Sequence, residues 1–373
     1  RLRRGAPWLV AGLAGPAMDP LRWGDREAAL AELQLGLHRV AEVRKVYTFG
    51  STVSGLGDAT SDIDVTLVID DASRLGAVEV LAKVATSLLR ACFEVRDMLP
   101  AARIPILRVA GWGTEFDISV NNLLPVHSTA LLKAYADLDP RVVQLVKAVK
   151  HWARGAKVHG ARNGHLSSYA FTQMAIYYGQ VHGALPVLQD PDADPDVVEG
   201  CNVAFRVPEA WSAMNAVDLS FAGFVHFYAT RYEWGRECVS LRTGHRSRME
   251  DYPNLRLARQ GISAQEWGTG GSHLHVEDPL EVTRDLADVL RCGCSNKLWA
   301  ALLAEMGRMC LTEQHALQLV GEHLALQQSE LEVRWSELQQ REQSVGRGAC
   351  VVAERRGGGP VPLSNTQRRV LAK

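Results

Sequence analysis

The 373-residue chain has no surplus of either charge. Its 41 Lys and Arg stand against 42 Asp and Glu, a net charge of −1. A tight, sequence-blind nucleic-acid binder carries an obvious basic excess, so any contact with RNA here has to be local, weak and confined to a cleft. No apolar run reaches the roughly 18 residues that a membrane helix needs, and no membrane partner is expected. The seven cysteines, Cys92, Cys201, Cys238, Cys292, Cys294, Cys310 and Cys350, are odd in number and irregular in spacing. They offer no disulfide framework and fit a reducing compartment. Cys292 and Cys294 make a lone C-x-C with no second pair at zinc-finger spacing, so they read as core or surface cysteines. No internal repeat is present.

What remains is an ordinary globular composition, 47% hydrophobic and 22% charged, over a length that suits two domains. The first eighteen residues hold Arg1, Arg3 and Arg4 and no acid. The tail of a mitochondrial targeting sequence and a flexible N-terminus over 1–24 fit this stretch equally. Residues 25–46 read as a helix through Ala28, Leu30, Leu33, Leu37, Val40 and Val43. A short β run, Val46–Phe49, then leads through a Gly-rich loop into a strand over 63–69. A helix over 74–91 and two strands near 103–110 and 114–120, joined at Gly111-Trp112-Gly113, complete an α/β module with a small mixed sheet. Helical periodicity then takes over at 126–136, 139–155, 166–183 and 217–232. The stretch 184–201 is loop-like and 240–276 has little period. Helices are expected again at 279–291 and 295–310, then one long helix over 312–345 and a loosely ordered tail over 346–373.

The chemistry concentrates in Phe49-Gly50-Ser51 followed by Ser61-Asp62-Ile63-Asp64. Two residues apart on a strand, Asp62 and Asp64 point to one face. Paired carboxylates repel and call for a cation, and Mg²⁺ takes oxygen ligands shared with substrate phosphates. Asp117 opens a further β run and supplies a third carboxylate. Three carboxylates suffice for two metals about 3.5–4 Å apart across an in-line displacement. Gly50 lets the backbone approach a phosphate, and Ser51 adds a hydroxyl and an N–H. D-x-D alone is common by chance; G-S, a ten-residue gap, D-x-D and a distant strand Asp together are far more specific.

From about Tyr47 to Arg284 this arrangement resembles the DNA polymerase β nucleotidyltransferase superfamily. Within it, the chain is similar to terminal uridylyltransferases and the related cytoplasmic-type poly(A) polymerases. The resemblance implies a polymerase β-type catalytic palm over 25–130 and a mainly helical base-recognition domain over 131–310. A helical extension over 311–345 and a tail over 346–373 follow. It implies Mg²⁺ or Mn²⁺, two ions per site, held by Asp62, Asp64 and Asp117, with UTP and an RNA 3′ end as partners. Lys150 and Arg154, four apart on Leu145–Arg154, look like its triphosphate contacts, although the family has Lys at the second position. Ser168 and Tyr169 match its Ser-Tyr element, a phosphate bond and a stacking ring worth on the order of 1–3 kcal/mol. Asn122 matches an Asn at the ribose and base edge. Ser128 and Thr129 fall where a hydroxyl meets the ribose 2′-OH, with Thr129 preferred by spacing.

Glu277-Asp278-Pro279-Leu280-Glu281 matches the family's base-recognition turn. Uracil presents an N3–H donor where adenine has only acceptors at the matching edge, and the resemblance implies that the acidic pair Asp278 and Glu281 accepts it, directly or through a water. Arg284 stands where some relatives have His. Asp278-Pro279 is also an ordinary helix opening, and both readings can hold together. His151, His159, His165 and His182 read as surface or RNA-facing, and Trp112, Trp152 and Trp299 as core or interface. Only 52 residues separate Asp64 from Asp117, too few for the inserted domain of RNA-editing relatives. Leu317, Leu324, Leu331 and Leu338 repeat in sevens, but Val320, Gln327 and Arg334 spoil a coiled-coil seam. That helix packs across the domains or docks a protein partner. The minimal module, this helix and the Arg-bearing start most resemble the minor, editing-associated branch of trypanosomatid uridylyltransferases. The expected activity is template-independent addition of UMP to RNA 3′ ends. The alternatives are adenylyl transfer in the same fold and a catalytically weak RNA- or complex-binding module.

Overall fold

A computed structural model describes residues 20–58, 61–69, 76–190, 194–209, 211, 218–258, 273–291 and 293–310. The chain divides into two compact units, Arg1–Met306 and Gly307–Lys373. The helix and protein-docking site expected at 312–345 and the N-terminus before residue 20 lie outside the described residues.

The first unit opens with helix α1, Pro20–Leu37, and a five-stranded sheet: β1 Val43–Phe49, β2 Ile63–Ile69, β3 Glu94–Leu99, β4 Ile106–Gly111 and β5 Thr114–Val120. Helix α2, Ala77–Arg90, connects β2 to β3. The spatial order is β1-β2-β5-β4-β3, with β2 and β5 parallel and the other neighbours antiparallel. Ala29, Leu33 and Leu37 of α1 and Val80, Leu81, Val84 and Leu88 of α2 pack on one face of this sheet. They meet Ile63, Val65 and Leu67 of β2, Leu107 and Val109 of β4, and Phe116, Ile118 and Val120 of β5. Burying each of the Val, Leu, Ile and Phe side chains among these contributes roughly 1.5–3 kcal/mol.

Two differences from the sequence pattern have local causes. The chain leaves the helix at Leu37, and Val40 and Val43 belong to a turn and to edge strand β1, where Val43 pairs with Ile69. Strand β3 escapes the period-2 pattern because its pairing with β4 shifts register between Val95 and Asp97.

Beyond the sheet lie α3, Leu124–Leu138, α4, Pro140–Gly155, and α5, Ser168–Val181. Ala170 through Gln180 of α5 are all buried. Gln180 donates to the Tyr135 hydroxyl of α3 at 2.9 Å and to the Leu241 carbonyl at 3.0 Å, tying three segments together. The helix expected over 217–232 is shorter. Ser220 accepts from Gly223 N–H at 3.1 Å and starts α6, Phe221–His226, which widens into a π turn over Phe227–Arg231. A Cβ at Gly223 would sit 2.0 Å from the Tyr178 hydroxyl, so α6 approaches α5 only through a glycine. Phe224, Phe227, Tyr228 and Tyr232 complete the aromatic core there. The expected helix over 279–291 does not form: a turn runs to Arg284, and only Leu286–Val289 is helical, as a 3₁₀ turn.

Candidate active site

Strand alternation decides which side chains meet. Because Ile63, Val65 and Leu67 face α1 and α2, Asp64 and Thr66 project from the opposite face of β2. Phe116, Ile118 and Val120 send Asp117 and Ser119 to that same face of β5. The parallel register sets Asp64 level with Asp117, and Asp62 just precedes β2. Carboxylate oxygens of Asp62, Asp64 and Asp117 therefore lie within 4.8 Å of one another. Burial first, then the charges of Asp62 and Asp117, hold the Asp64 carboxyl well above the usual carboxylate range. Burial also pushes Asp117 up, against the pull of the Arg108 guanidinium. Such a cluster favours a bound cation, and an all-oxygen donor set suits a hard divalent ion such as Mg²⁺ or Mn²⁺.

Arg108 is a residue the sequence reading missed. Its Nε and Nη2 reach both Asp117 oxygens at 3.1 to 3.3 Å, placed there by the β4–β5 register that sets Arg108 opposite Asp117. One guanidinium on Asp117 leaves Asp62 and Asp64 facing each other.

Gly50 follows β1 at φ +83°. A Cβ at that position would lie 2.0 Å from Asp64 Oδ2, so a side chain there would strike the carboxylate cluster. The Gly50 N–H donates to Thr129 Oγ1 at 2.8 Å, and the Thr129 hydroxyl donates to the Pro125 carbonyl at 2.7 Å. The Thr129 proton is committed to α3 and its oxygen fixes the Gly50 turn, which leaves one lone pair of that oxygen to meet a ribose hydroxyl. Ser128 donates to the Leu124 carbonyl at 3.1 Å.

One cavity of about 610 Å³ gathers Gly50, Ser51, Asp62, Asp64, Asn122 and Thr129 with Lys150, Arg154, Ser168, Tyr169, Asp278, Glu281 and Arg284. Asp117 stands beside it in the carboxylate cluster. Asn122 is pinned by its own N–H, which donates to the Thr66 hydroxyl at 3.0 Å. Lys150 is buried, and its Nζ donates to the Leu56 carbonyl at 3.1 Å. Burial, and after it the charge of Arg154, brings the Lys150 ammonium down to about 8. Arg154 pairs with Asp58 at 2.8 Å. Ser168 shares a 2.8 Å hydrogen bond with His159 Nε2, whose pKa is lowered by burial and then by Arg154 and Lys150. His159 is half-buried and tied to a residue of the cavity lining, and nothing in its spacing announces this. Tyr169 is half-buried, with its hydroxyl sunk in the protein and pushed up by burial. Trp152 is core, packed edge-on to Phe171, whereas Trp112 and Trp299 are exposed.

The far end of the cavity is the turn from Asp278 to Arg284. Asp278 Oδ1 accepts from the N–H groups of Leu280 and Glu281 at 3.0 and 3.1 Å, as a helix cap would, but no helix follows. The Asp278 N–H donates instead to the Arg284 carbonyl at 3.0 Å and closes the turn. Burial raises the Asp278 carboxyl despite those two N–H donors. Arg103, a second residue not foreseen, donates through Nη1 to both Glu281 oxygens at 3.0 and 3.1 Å. Arg284 stands 3.7 Å from Asp278 and from Glu281.

Comparison with known proteins agrees with this geometry. Residues 22–137 match the family model for the central palm domain of mitochondrial-like poly(A) RNA polymerase. The chain is 31% identical over 286 residues to the fission yeast (Schizosaccharomyces pombe) terminal uridylyltransferase cid1, covering 70% of this chain and 68% of that one. The chain belongs to the terminal uridylyltransferase family. That family lies within the polymerase β nucleotidyltransferase superfamily, and its members are RNA nucleotidyltransferases. A crystal structure of the Cid1 poly(U) polymerase, bound to MgGTP in a study of UTP selectivity, superposes with a TM-score of 0.65. Identity there is 27%, over 78% of this chain and 89% of that one. The zebrafish (Danio rerio) poly(A) RNA polymerase GLD2 is 32% identical over 233 residues, 58% of this chain but only 47% of GLD2. Relatives named terminal uridylyltransferases and relatives named poly(A) RNA polymerases both match this chain, so membership alone does not name the base.

Proposed function

We propose that the protein adds UMP from UTP to the 3′ end of RNA without a template, using two divalent ions held by Asp62, Asp64 and Asp117. The observation that carries this reading is the meeting, in one cavity, of the carboxylate cluster, the Lys150–Arg154 cations and the acidic turn at Asp278 and Glu281. In the reaction the RNA 3′ oxygen bonds to the α-phosphorus, the bond to the bridging oxygen of pyrophosphate breaks, and the hydroxyl proton leaves to solvent. When bound, the ions supply positive charge at the attacking and leaving oxygens.

The remaining work falls to the chain's own groups. Lys150 and Arg154 take the triphosphate, Arg154 exchanging Asp58 for phosphate oxygens. Ser51 and Ser168 donate to it, and His159 orients the Ser168 hydroxyl. Tyr169 offers its ring to the base, and Asn122 meets the ribose edge. Asp278 and Glu281 accept the uracil N3–H, with Arg284 between them where relatives have His. The near-neutral net charge favours weak, distributive addition.

The relatives named uridylyltransferases support the uridylyl reading, while GLD2 supports adenylyl transfer as the second reading. Extending one RNA primer with UTP or ATP separates them: UTP is expected to be preferred, and preferred ATP use would overturn the uridylyl assignment. A mitochondrial setting in RNA editing or other 3′-end processing is the wider proposal. It is supported by the acid-free, Arg-bearing first eighteen residues and tested by following a tagged full-length protein in cells.

A further inference from the structure

The described residues hold a second convergent ligand cluster, distinct in residues from the three aspartates. His273, His275 and Asp285 bring one ring nitrogen each and a carboxylate oxygen within 4.8 Å of one another. The chain builds this deliberately placed set from two short segments. Residues 273–277 run extended beside 235–239: the Gly235 N–H donates to the His273 carbonyl at 2.6 Å and the Val239 N–H to the His275 carbonyl at 2.9 Å. Two residues apart on extended chain, His273 and His275 present their rings to one side, with centroids 4.9 Å apart. Asp285 faces them from the other arm of the Glu277–Asp285 bridge. Its Oδ1 accepts from the Val276 and Ala287 N–H groups at 2.9 and 2.8 Å, which aims Oδ2 at His275 Nδ1, 3.0 Å away. The His275 and Asp285 side chains are only 10% and 1% exposed. A fourth oxygen, Ser295 Oγ, lies 3.5 Å from His273 Nδ1.

We propose that His273, His275 and Asp285 bind a single transition-metal ion, Zn²⁺ by preference. Two imidazoles and one carboxylate are a borderline-soft N₂O donor set, which suits Zn²⁺ and disfavours Mg²⁺ and Ca²⁺ with their all-oxygen preference. Four-coordinate zinc with bonds of about 2.0–2.2 Å holds its ligand atoms roughly 3.3–3.5 Å apart. The His275–Asp285 pair at 3.0 Å therefore has to open slightly, while the set as a whole, within 4.8 Å, is of the right size. The Ser295 hydroxyl or a water completes four-coordination. Asp285 is already oriented by two backbone donors, the outer-shell support that metal ligands require. The ion would also have a structural consequence. The His275–Asp285 contact closes the neck of the segment 276–285, and that segment carries Asp278, Glu281 and Arg284. The metal pins the neck and so stiffens the turn that faces the base, without touching substrate.

Zinc content of the full-length protein tests this directly. Asp64→Asn serves as the common background, so that the catalytic aspartates contribute less to metal binding. After incubation with Zn²⁺ and gel filtration in Mg²⁺ buffer, about one equivalent should remain per chain. Adding His273→Ala, at the more exposed ligand, should weaken Zn²⁺ binding by at least the 10–100-fold that loss of an outer-shell partner costs. Cobalt titration of the chain with all three ligands intact should give the visible absorption of a four-coordinate N/O site, and it decides the matter if the His273 variant fails to fold. No retained zinc, equal retention with and without His273, or no four-coordinate cobalt spectrum would each overturn the proposal.

Discussion

The carboxylate face of the palm and the Asp278–Arg284 turn line one cavity but are built by different means. On the palm, β2 and β5 lie side by side with five consecutive residue pairs in register, and buried Ile63, Val65, Phe116 and Ile118 fix which faces carry acid. At the turn, backbone hydrogen bonds close the loop from Asp278 to Arg284, but the Glu281 and Arg284 side chains are placed by ion pairs, Arg103 reaching Glu281 across 178 residues of sequence and Arg284 standing 3.7 Å from Asp278. Register and core packing are all-or-none; partly exposed ion pairs are worth about 0.2–1 kcal/mol each. The three carboxylates are therefore set by register and core packing, whereas the charged side chains of the turn, to which the proposal assigns the base, are set by ion pairs that single substitutions can retune.

The largest effect should come from breaking the palm. Asp62→Ala is expected to cut nucleotide transfer on the order of 10²–10³-fold or more, the scale of losing one electrostatic stabiliser of the transition state. Steady-state primer extension measures it. Gly50→Ala should come next, at roughly 10–10²-fold, since the new methyl would have to displace Asp64 Oδ2 and adopt a positive φ costing about 1–2 kcal/mol. A Gly50→Ala enzyme of wild-type rate would show that the close approach is not maintained in solution.

Lys150 sits between the two regions and adds a pH test. Its ammonium titrates near 8. UTP affinity should fall up to about tenfold as pH rises from 7 to 9, because the deprotonated amine no longer pairs with phosphate. Lys150→Met should bind weakly at both pH values. The stability sign is opposite: the folded-state value lies below the unfolded one, so the buried charge costs stability below about pH 8. That cost is relieved as pH rises toward 10.5, and Lys150→Met should not show this rise. The smallest effect belongs to the turn. Glu281→Ala should lower total UTP incorporation only a few-fold while shifting the UTP-to-ATP ratio toward ATP by several-fold, read on a single primer. An unchanged ratio would remove Glu281 from base recognition.

The same contrast separates what was legible in the sequence from what was not. Asp62, Asp64 and Asp117 could be placed because strand alternation is a local rule. Even Arg108 was within reach: a two-residue turn at Trp112 and Gly113, both at positive φ, sets Arg108 opposite Asp117 by simple counting. Strand β3 hid behind its register shift, and the helix expected after Pro279 was replaced by a turn closed from Asp278 to Arg284. The engagement of Thr129 with Gly50, of His159 with Ser168 and of Arg103 with Glu281 depends on contacts between segments far apart in the chain. Composition and spacing carry no trace of those.

Asp64→Asn tests the central claim most directly, with transfer and thermal stability measured on the same preparation. Asp64 is held well above the usual carboxylate range, chiefly by burial, so its ionised form costs folding stability at neutral pH. The neutral amide should leave Tm unchanged or raise it while uridylate transfer to an RNA primer is lost. Transfer persisting near the wild-type rate in a folded Asp64→Asn protein would contradict the assignment of the three aspartates as the site of nucleotidyl transfer.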